Sequence, residues 1–151
     1  MTLINQLPQK VQKELHNKSL LKIISGLNNF DIESVQMIAQ AAATGGADLI
    51  DMACEPLLVE KVLDIVSLPI CVSAVEPKLF IDSVKAGATF IEIGNFDSFY
   101  EKGINFSANQ VLSLTKETKD LLPHIPLSVT VPHTLSLDKQ VDLALQLIKE
   151  G

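Results

Sequence analysis

The sequence predicts an α/β protein with a (β/α)8 TIM-barrel-like fold, incomplete, in which a leading helix is followed by five βα units. An open doubly wound parallel sheet is the alternative. Three observations carry this reading. A helix-to-strand junction is written twice, at Gly45-Gly46-Ala47-Asp48-Leu49-Ile50-Asp51 and at Ala86-Gly87-Ala88-Thr89-Phe90-Ile91-Glu92, and Lys149-Glu150-Gly151 would begin a third. Helices and strands alternate strictly through short links, which implies right-handed crossovers and a parallel sheet. Polar residues recur inside the strands, as barrel interiors permit, and no glycine-rich phosphate fingerprint of the doubly wound kind follows the first strand. A complete barrel takes about 250 residues. The chain has 151, so a piece lacking roughly the last three units, with two exposed sheet edges, is expected. Residues 1–18 are read as an N-terminal helix and 19–151 as the single partial-barrel domain.

The leading helix carries Leu3, Leu7, Val11 and Leu15 at a spacing of four, with Glu14 its lone acid. It is read as a helix covering one end of the domain, with a targeting or membrane-surface helix as the alternative. Leu20 to Ser25 is the first strand, interrupted by Lys22, and Gly26 to Asn29 is a loop. Asp31 caps the next helix, Phe30 and Val35 are placed as a hydrophobic staple, and Gly45 and Gly46 end it. Strand two runs from Leu49 to Ala53. Pro56 opens its helix, which Pro69 stops. Ile70 to Ala74 is strand three. Pro77 opens the following helix, Gly87 closes it, and Phe90 to Ile93 is strand four. The longest loop, Gly94 to Phe106, leads to a capping box at Ser107-Ala108-Asn109-Gln110. That helix ends near Leu122-Pro123. Strand five is Leu127 to Val131, and Ser136 caps the last helix.

Composition narrows the partners. The net charge is −6, which argues against nucleic acid, since phosphate neutralisation needs clustered cations. Every basic residue is Lys, so bidentate arginine clamps are absent from the sequence. No apolar run is long enough to span a bilayer. Cys54 falls after strand two and Cys71 at the start of strand three. That separation is about 13 Å at about 3.3 Å per residue, beyond disulfide reach, and fits a reducing compartment. No zinc-type spacing, Walker loop, nucleophile elbow or dinucleotide motif is present, so no metal is assigned and the cofactor is left unknown.

In either architecture ligands bind at the carboxyl ends of the strands. Alternation along the strands sends Lys22, Asp51 and Glu92 to one interior, with Ser128 and Thr130 also inward; the phase of strand three stays open. A lysine among carboxylates can form a Schiff base or act as general acid or base, or it can be a structural ion-pair cluster. His133, at the mouth after strand five, titrates in the right range for proton transfer. Lys22, Asp51, Glu92 and His133 are therefore the candidate catalytic residues. Asn28, Asn95 and Thr130, at or beyond strand ends, are the candidate substrate-binding residues. Glu55 and Glu76 share an Ala-x-Glu-Pro pattern and read either as ligand-binding carboxylates or as plain helix-terminus acids. Asn-Phe-Asp recurs at residues 29–31 and 95–97, the second copy opening the longest loop.

Three segments resemble a known family: Lys22-Ile23-Ile24-Ser25-Gly26-Leu27-Asn28-Asn29-Phe30-Asp31, Gly46-Ala47-Asp48-Leu49-Ile50-Asp51-Met52-Ala53-Cys54, and Ile91-Glu92-Ile93-Gly94-Asn95-Phe96-Asp97-Ser98-Phe99-Tyr100. They are similar to the hypothetical chloroplast reading frame twenty-three family, and the similarity extends to Val129-Thr130-Val131-Pro132-His133. The resemblance implies a TIM-barrel-like protein of unknown activity, longer than this chain, from the plastid stroma or from cyanobacterial cytoplasm. It supplies no catalytic residue. The expected function is therefore an enzyme acting on a small phosphorylated metabolite by lyase, isomerase or aldol-type proton transfer, resting on fold analogy. The alternative is a non-catalytic binding or regulatory protein on a barrel scaffold. A small-molecule ligand is the expected partner, and the oligomeric state is left open.

Overall fold

Leu49–Ala53 (β2) and Ile70–Ala74 (β3) are buried along their whole length. Strands at the middle of a parallel sheet are covered on both faces, and here even the polar Asp51 and Ser73 are buried. A computed structural model describes residues 3–150 of the chain; the junction expected at Gly151 lies outside the described residues. Lys22–Ile24 (β1), β2, β3, Phe90–Ile93 (β4) and Leu127–Val129 (β5) form one five-stranded sheet in the order β1-β2-β3-β4-β5, every pair parallel. A doubly wound sheet reverses its strand order at a switch point. Here each strand joins the same growing edge, as in a barrel, and the sheet ends unclosed.

Between the strands run Ile32–Thr44 (α2), Pro56–Leu63 (α3), Leu79–Lys85 (α4) and Ala108–Leu121 (α6), and Leu137–Glu150 (α7) follows β5. Ile50, Met52, Ile70, Val72, Ile91 and Ile93 point at this helical layer. They form one core with Val35 and Ala39 of α2, Leu58 and Val62 of α3, Phe80 of α4, Val111 of α6 and Leu143 of α7. Fully burying such a side chain contributes about 1.5–3 kcal/mol. Gly87 ends α4 at φ +119°, where a Cβ would also stand 2.6 Å from Leu63 Cδ1. The backbone angle calls for glycine.

Four local expectations change. The leading helix is not continuous: a 3-10 turn, Leu3–Gln6, precedes Gln9–Asn17 (α1). Pro8 stands between them, where it can begin a helix but not continue one. Val11 of α1 is buried, and Lys10 Nζ pairs with Asp48 Oδ1 at 3.0 Å at the foot of β2, so α1 closes the lower end of the sheet. Strands one and five are shorter than their apolar runs, because each pairs on one side only. The two Ala-x-Glu-Pro copies also diverge. Pro56 starts α3 directly, whereas after Pro77 a turn intervenes and α4 begins at Leu79. Finally, the loop after β4 contains a short helix, Asp97–Tyr100 (α5). Two of the expected caps are present: Ser34 N–H donates to Asp31 Oδ1 at 2.7 Å, and Ser107 and Gln110 form a reciprocal capping box.

Candidate functional site

The inner face of the sheet carries one polar cluster. Register fixes its members: Asp51 lies beside Cys71, and Ser73 beside Glu92. This settles the phase of strand three, with Cys71 and Ser73 inward. Lys22 enters low, opposite Leu49. Its long side chain climbs so that Nζ lies 3.0 Å from Asp51 Oδ2 and 2.6 Å from Glu92 Oε2. The three expected interior residues are therefore in contact. The second oxygens of the two carboxylates are also engaged. Ser73 Oγ donates to Asp51 Oδ1 at 2.6 Å, and Thr130 Oγ1 donates to Glu92 Oε1 at 3.2 Å. Asn95 Nδ2 donates to Ser73 Oγ at 3.0 Å and to Asp51 Oδ2 at 3.3 Å.

The turn after β4 is shaped by these contacts. A Cβ at Gly94 would stand 2.3 Å from Thr130 Oγ1 and 2.7 Å from Glu92 Oε1, so only glycine lets the chain pass. Asn95 follows at φ +57°, a left-handed conformation that Asn tolerates better than most residues. It thereby turns its amide back onto the sheet. Asn95 and Thr130 thus belong to the cluster, at its mouth end.

Burial and charge compete within it. Burial would lower the Lys22 pKa, but the hydrogen bond it donates to Glu92 and the charges of Asp51 and Glu92 outweigh it and raise it well above the ordinary lysine value. Asp51 is fully buried, and that burial raises its carboxyl above the usual range against the opposing pull of Ser73 and Lys22. One ammonium faces two carboxylates, so the cluster has a surplus of acceptors. Asp51, Cys71 and Glu92 offer donor atoms within 4.8 Å of one another and are the residues that could hold a divalent ion. Lys22 already supplies positive charge there, and burial keeps the Cys71 thiol protonated by pushing its pKa well up.

Two expected residues stand apart. His133 Nδ1 lies 3.7 Å from Asp97 Oδ1, with the Tyr100 ring edge-on at 5.0 Å, in a largely exposed group made by the loops after β4 and β5. Asn28 is exposed in its turn, where the neighbouring Asn29 makes the hydrogen bonds, to Ser25 O and Ser34 Oγ. Glu55 accepts from Leu57 N–H at 3.4 Å and serves as the cap of α3, which favours its plain helix-terminus reading. Ser73 was not legible beforehand, since strand three has no charged residue to set its phase. Beside Lys22 and Glu92 lies a cleft of about 480 Å3 that passes the β5 edge to the helices, lined by Val11 and Leu15 of α1, Leu20, Phe90, Leu127 and Leu147 of α7.

Consecutive parallel βα units with polar side chains gathered on the inner face define a TIM-barrel-type α/β protein with an unclosed sheet. The chain belongs to the family described as "Protein of unknown function (DUF561)", whose model matches residues 5–151. It is 52% identical over 139 residues to "Uncharacterized protein ycf23" of Cyanophora paradoxa, a match covering 91% of this chain and 57% of that protein. Such relatives come from algal plastid genomes. The chain spans about half the length of the curated relatives it matches. Among solved structures it is similar to a putative deoxyribose-phosphate aldolase from Toxoplasma gondii, with TM-score 0.64 and 18% identity over 95% of this chain and 61% of that one. It is also similar to dihydropteroate synthase from Xanthomonas albilineans, with TM-score 0.56 and 18% identity over 86% of this chain and 51% of that one. At these identities the likeness shows the fold alone. Among the described residues no helix is long and apolar enough to cross a membrane.

Proposed function

We propose that the chain carries the proton-transfer wall of an enzyme of the plastid stroma, acting on a small phosphorylated metabolite by lyase, isomerase or aldol-type chemistry. The observation that supports this is the Lys22 ammonium held between Asp51 and Glu92 at 3.0 and 2.6 Å. A raised lysine pKa disfavours the neutral amine that Schiff-base formation requires. It suits a permanent cation that donates to an oxygen gaining negative charge. Glu92 and Lys22 line the cleft, whereas Asp51 sits fully buried behind them. In this reading Glu92 takes a proton from carbon next to a carbonyl, Lys22 stabilises the resulting enolate oxygen, and Asp51 positions Lys22. The acids of the nearby loops and the absence of arginine leave these strands poorly suited to a phosphate. Barrel phosphate sites commonly follow strands seven and eight, beyond the five strands described.

The test is a binding screen with sugar phosphates and their dephosphorylated forms, run on this chain and on the longer Cyanophora paradoxa relative, followed by Glu92→Gln and His133→Ala. Glu92→Gln is expected to weaken any hit by about tenfold or, where turnover is seen, to slow it by about a hundredfold or more. His133→Ala, distant from the cluster's hydrogen bonds, is expected to have the smaller effect. Hits indifferent to both substitutions would sink the assignment. That outcome would favour a non-catalytic binding or regulatory protein, a reading that the internal hydrogen-bond partners of Asp51, Glu92 and Ser73 already allow.

A further inference from the structure

A second group of polar side chains lies outside the Lys22 cluster, on the loops that leave β4 and β5. Ile93 and Val129 are register partners, and Asp97 and His133 each stand four residues beyond them. The two loops therefore leave the sheet side by side and bring α5, with Asp97, Ser98 and Tyr100, to His133. His133 Nδ1 faces Asp97 Oδ1, and the Tyr100 ring packs edge-on against the imidazole. Phe96, buried against Phe106, anchors the segment.

Two hydroxyls of this group are left over. Among the described residues, Ser98 Oγ and Tyr100 OH are the buried side-chain polar atoms that make no hydrogen bond. Burial raises the Tyr100 phenol's pKa and Thr134 opposes it, but those two hydroxyls do not meet in hydrogen-bond geometry. A buried hydroxyl left unpaired is costly, so its retention calls for an explanation. The inner cluster offers a contrast, since each oxygen of Asp51 and Glu92 is met by a donor of the protein's own. Ser98 and Tyr100 are only partly buried as residues, so a rotamer change or a small shift of the loop brings their hydroxyls to a ligand.

The chemistry selects a neutral, hydroxylated ligand. A hydroxyl both donates and accepts, which suits the two unpaired hydroxyls and the Asp97 carboxylate together. The Tyr100 ring offers apolar surface to the carbon chain. Asp97 and Glu101 stand with one lysine of the same segment, Lys102, and no arginine, so a phosphate fits poorly. Thr130, bonded to Glu92, is three residues from His133. That is about 10 Å at full extension, within the span of one small sugar.

We propose that Asp97, Ser98, Tyr100 and His133 form a subsite for the hydroxyls of a sugar or other polyol, set beside the Lys22–Glu92 pair. That it holds the hydroxylated end of the same substrate rests on the functional reading above; the subsite itself does not.

Tyr100 is the sole tyrosine and there is no tryptophan, so intrinsic fluorescence reports this group alone. Titration with D-ribose, D-fructose and ribitol is expected to give a saturable change with at least one of them, at a Kd of about 1–10 mM. Inorganic phosphate is expected to give none. Ser98→Ala and Asp97→Asn are each expected to weaken the response about tenfold. Ser98→Ala does so without lowering stability in urea, since the hydroxyl it removes has no partner. No response to any of the three polyols overturns the subsite, as does a response that phosphate reproduces or that both substitutions leave unchanged. Glu92→Gln separates the subsite from the reaction. A polyol response kept in that variant supports the subsite even where no turnover is found; a response lost there assigns the binding to the inner cluster and overturns it. Sugar phosphates that bind through Glu92 yet leave the Tyr100 fluorescence unchanged remove the shared substrate.

Discussion

Asp51 is the most constrained side chain in the cluster, fully buried and bonded to Lys22, Ser73 and Asn95. Burial raises its pKa, so the native state holds the proton more tightly than the unfolded state does. Stability from this group is therefore present at low pH and falls as pH rises from the ordinary carboxylate value of 3.8 through the raised one. Lys22 contributes in the opposite region. Its raised pKa gives stability that is complete below 10.5 and is lost only as pH climbs through the raised value, so it is constant in acid. Asp51→Asn removes the first dependence and leaves Lys22 protonated. Urea unfolding of both proteins between pH 4 and pH 7 is expected to show the wild type losing ground to the variant as pH rises, by at most about 1.4 kcal/mol per pH unit. A gap that widens in the wild type's favour would contradict the raised value. The members of this cluster differed in legibility. Asp51 and Glu92 alternate with large aliphatic residues, so their side of the sheet could be read directly. Ser73 sits in Ile-Cys-Val-Ser-Ala, where every residue is small or apolar, and only the pairing with Asp51's strand tells which way it points.

Elements follow their local signals where the signal is covalent or is satisfied within a turn. The capping box of α6 is an example. Gln110 N–H donates to Ser107 Oγ at 3.3 Å and Ser107 N–H to Gln110 Oε1 at 2.8 Å, so two otherwise orphaned donors are met by residues three apart. Ser107→Ala is expected to cost about 1 kcal/mol in urea unfolding, with faster hydrogen exchange confined to the first turn of α6. Glu55→Ala, which removes a longer 3.4 Å contact to Leu57 N–H, is expected to cost less. Equal costs would mean that the box is not what starts α6. Signals that depend on distant packing were less readable. Pro8 carries a helix break that the spacing of Leu7, Val11 and Leu15 conceals, because periodicity does not register a missing N–H. The α5 turn depends on Phe96 finding a buried place against Phe106, at 4.6 Å between ring centroids, which no local pattern announces. The repeated Asn-Phe-Asp has different outcomes for the same reason: Asp31 caps α2, whereas Asn95 turns inward to the cluster.

At the scale of the whole molecule, the alternation of elements made a parallel sheet legible, and the polar residues inside the strands favoured a barrel over a doubly wound sheet. That choice is made by crossovers that all fall on one side, a property of the assembled chain rather than of any segment. One consequence is a gradient of stability across the sheet. β2 and β3 are buried throughout and paired on both sides, whereas β1 and β5 are only partly buried and have one neighbour each. Opening an edge strand breaks one ladder and exposes little core. Opening a central strand separates the sheet from α2, α3 and α4 and requires most of the fold to come apart. Amides of Leu49–Ala53 and Ile70–Ala74 are thus expected to exchange about a hundredfold more slowly than those of Lys22–Ile24 and Leu127–Val129 in the 151-residue chain. Mass spectrometry of peptides spanning each strand measures this directly. Uniform protection over the five strands would mean that something already covers the edges, and the unpaired sides of β1 and β5 would then not be free.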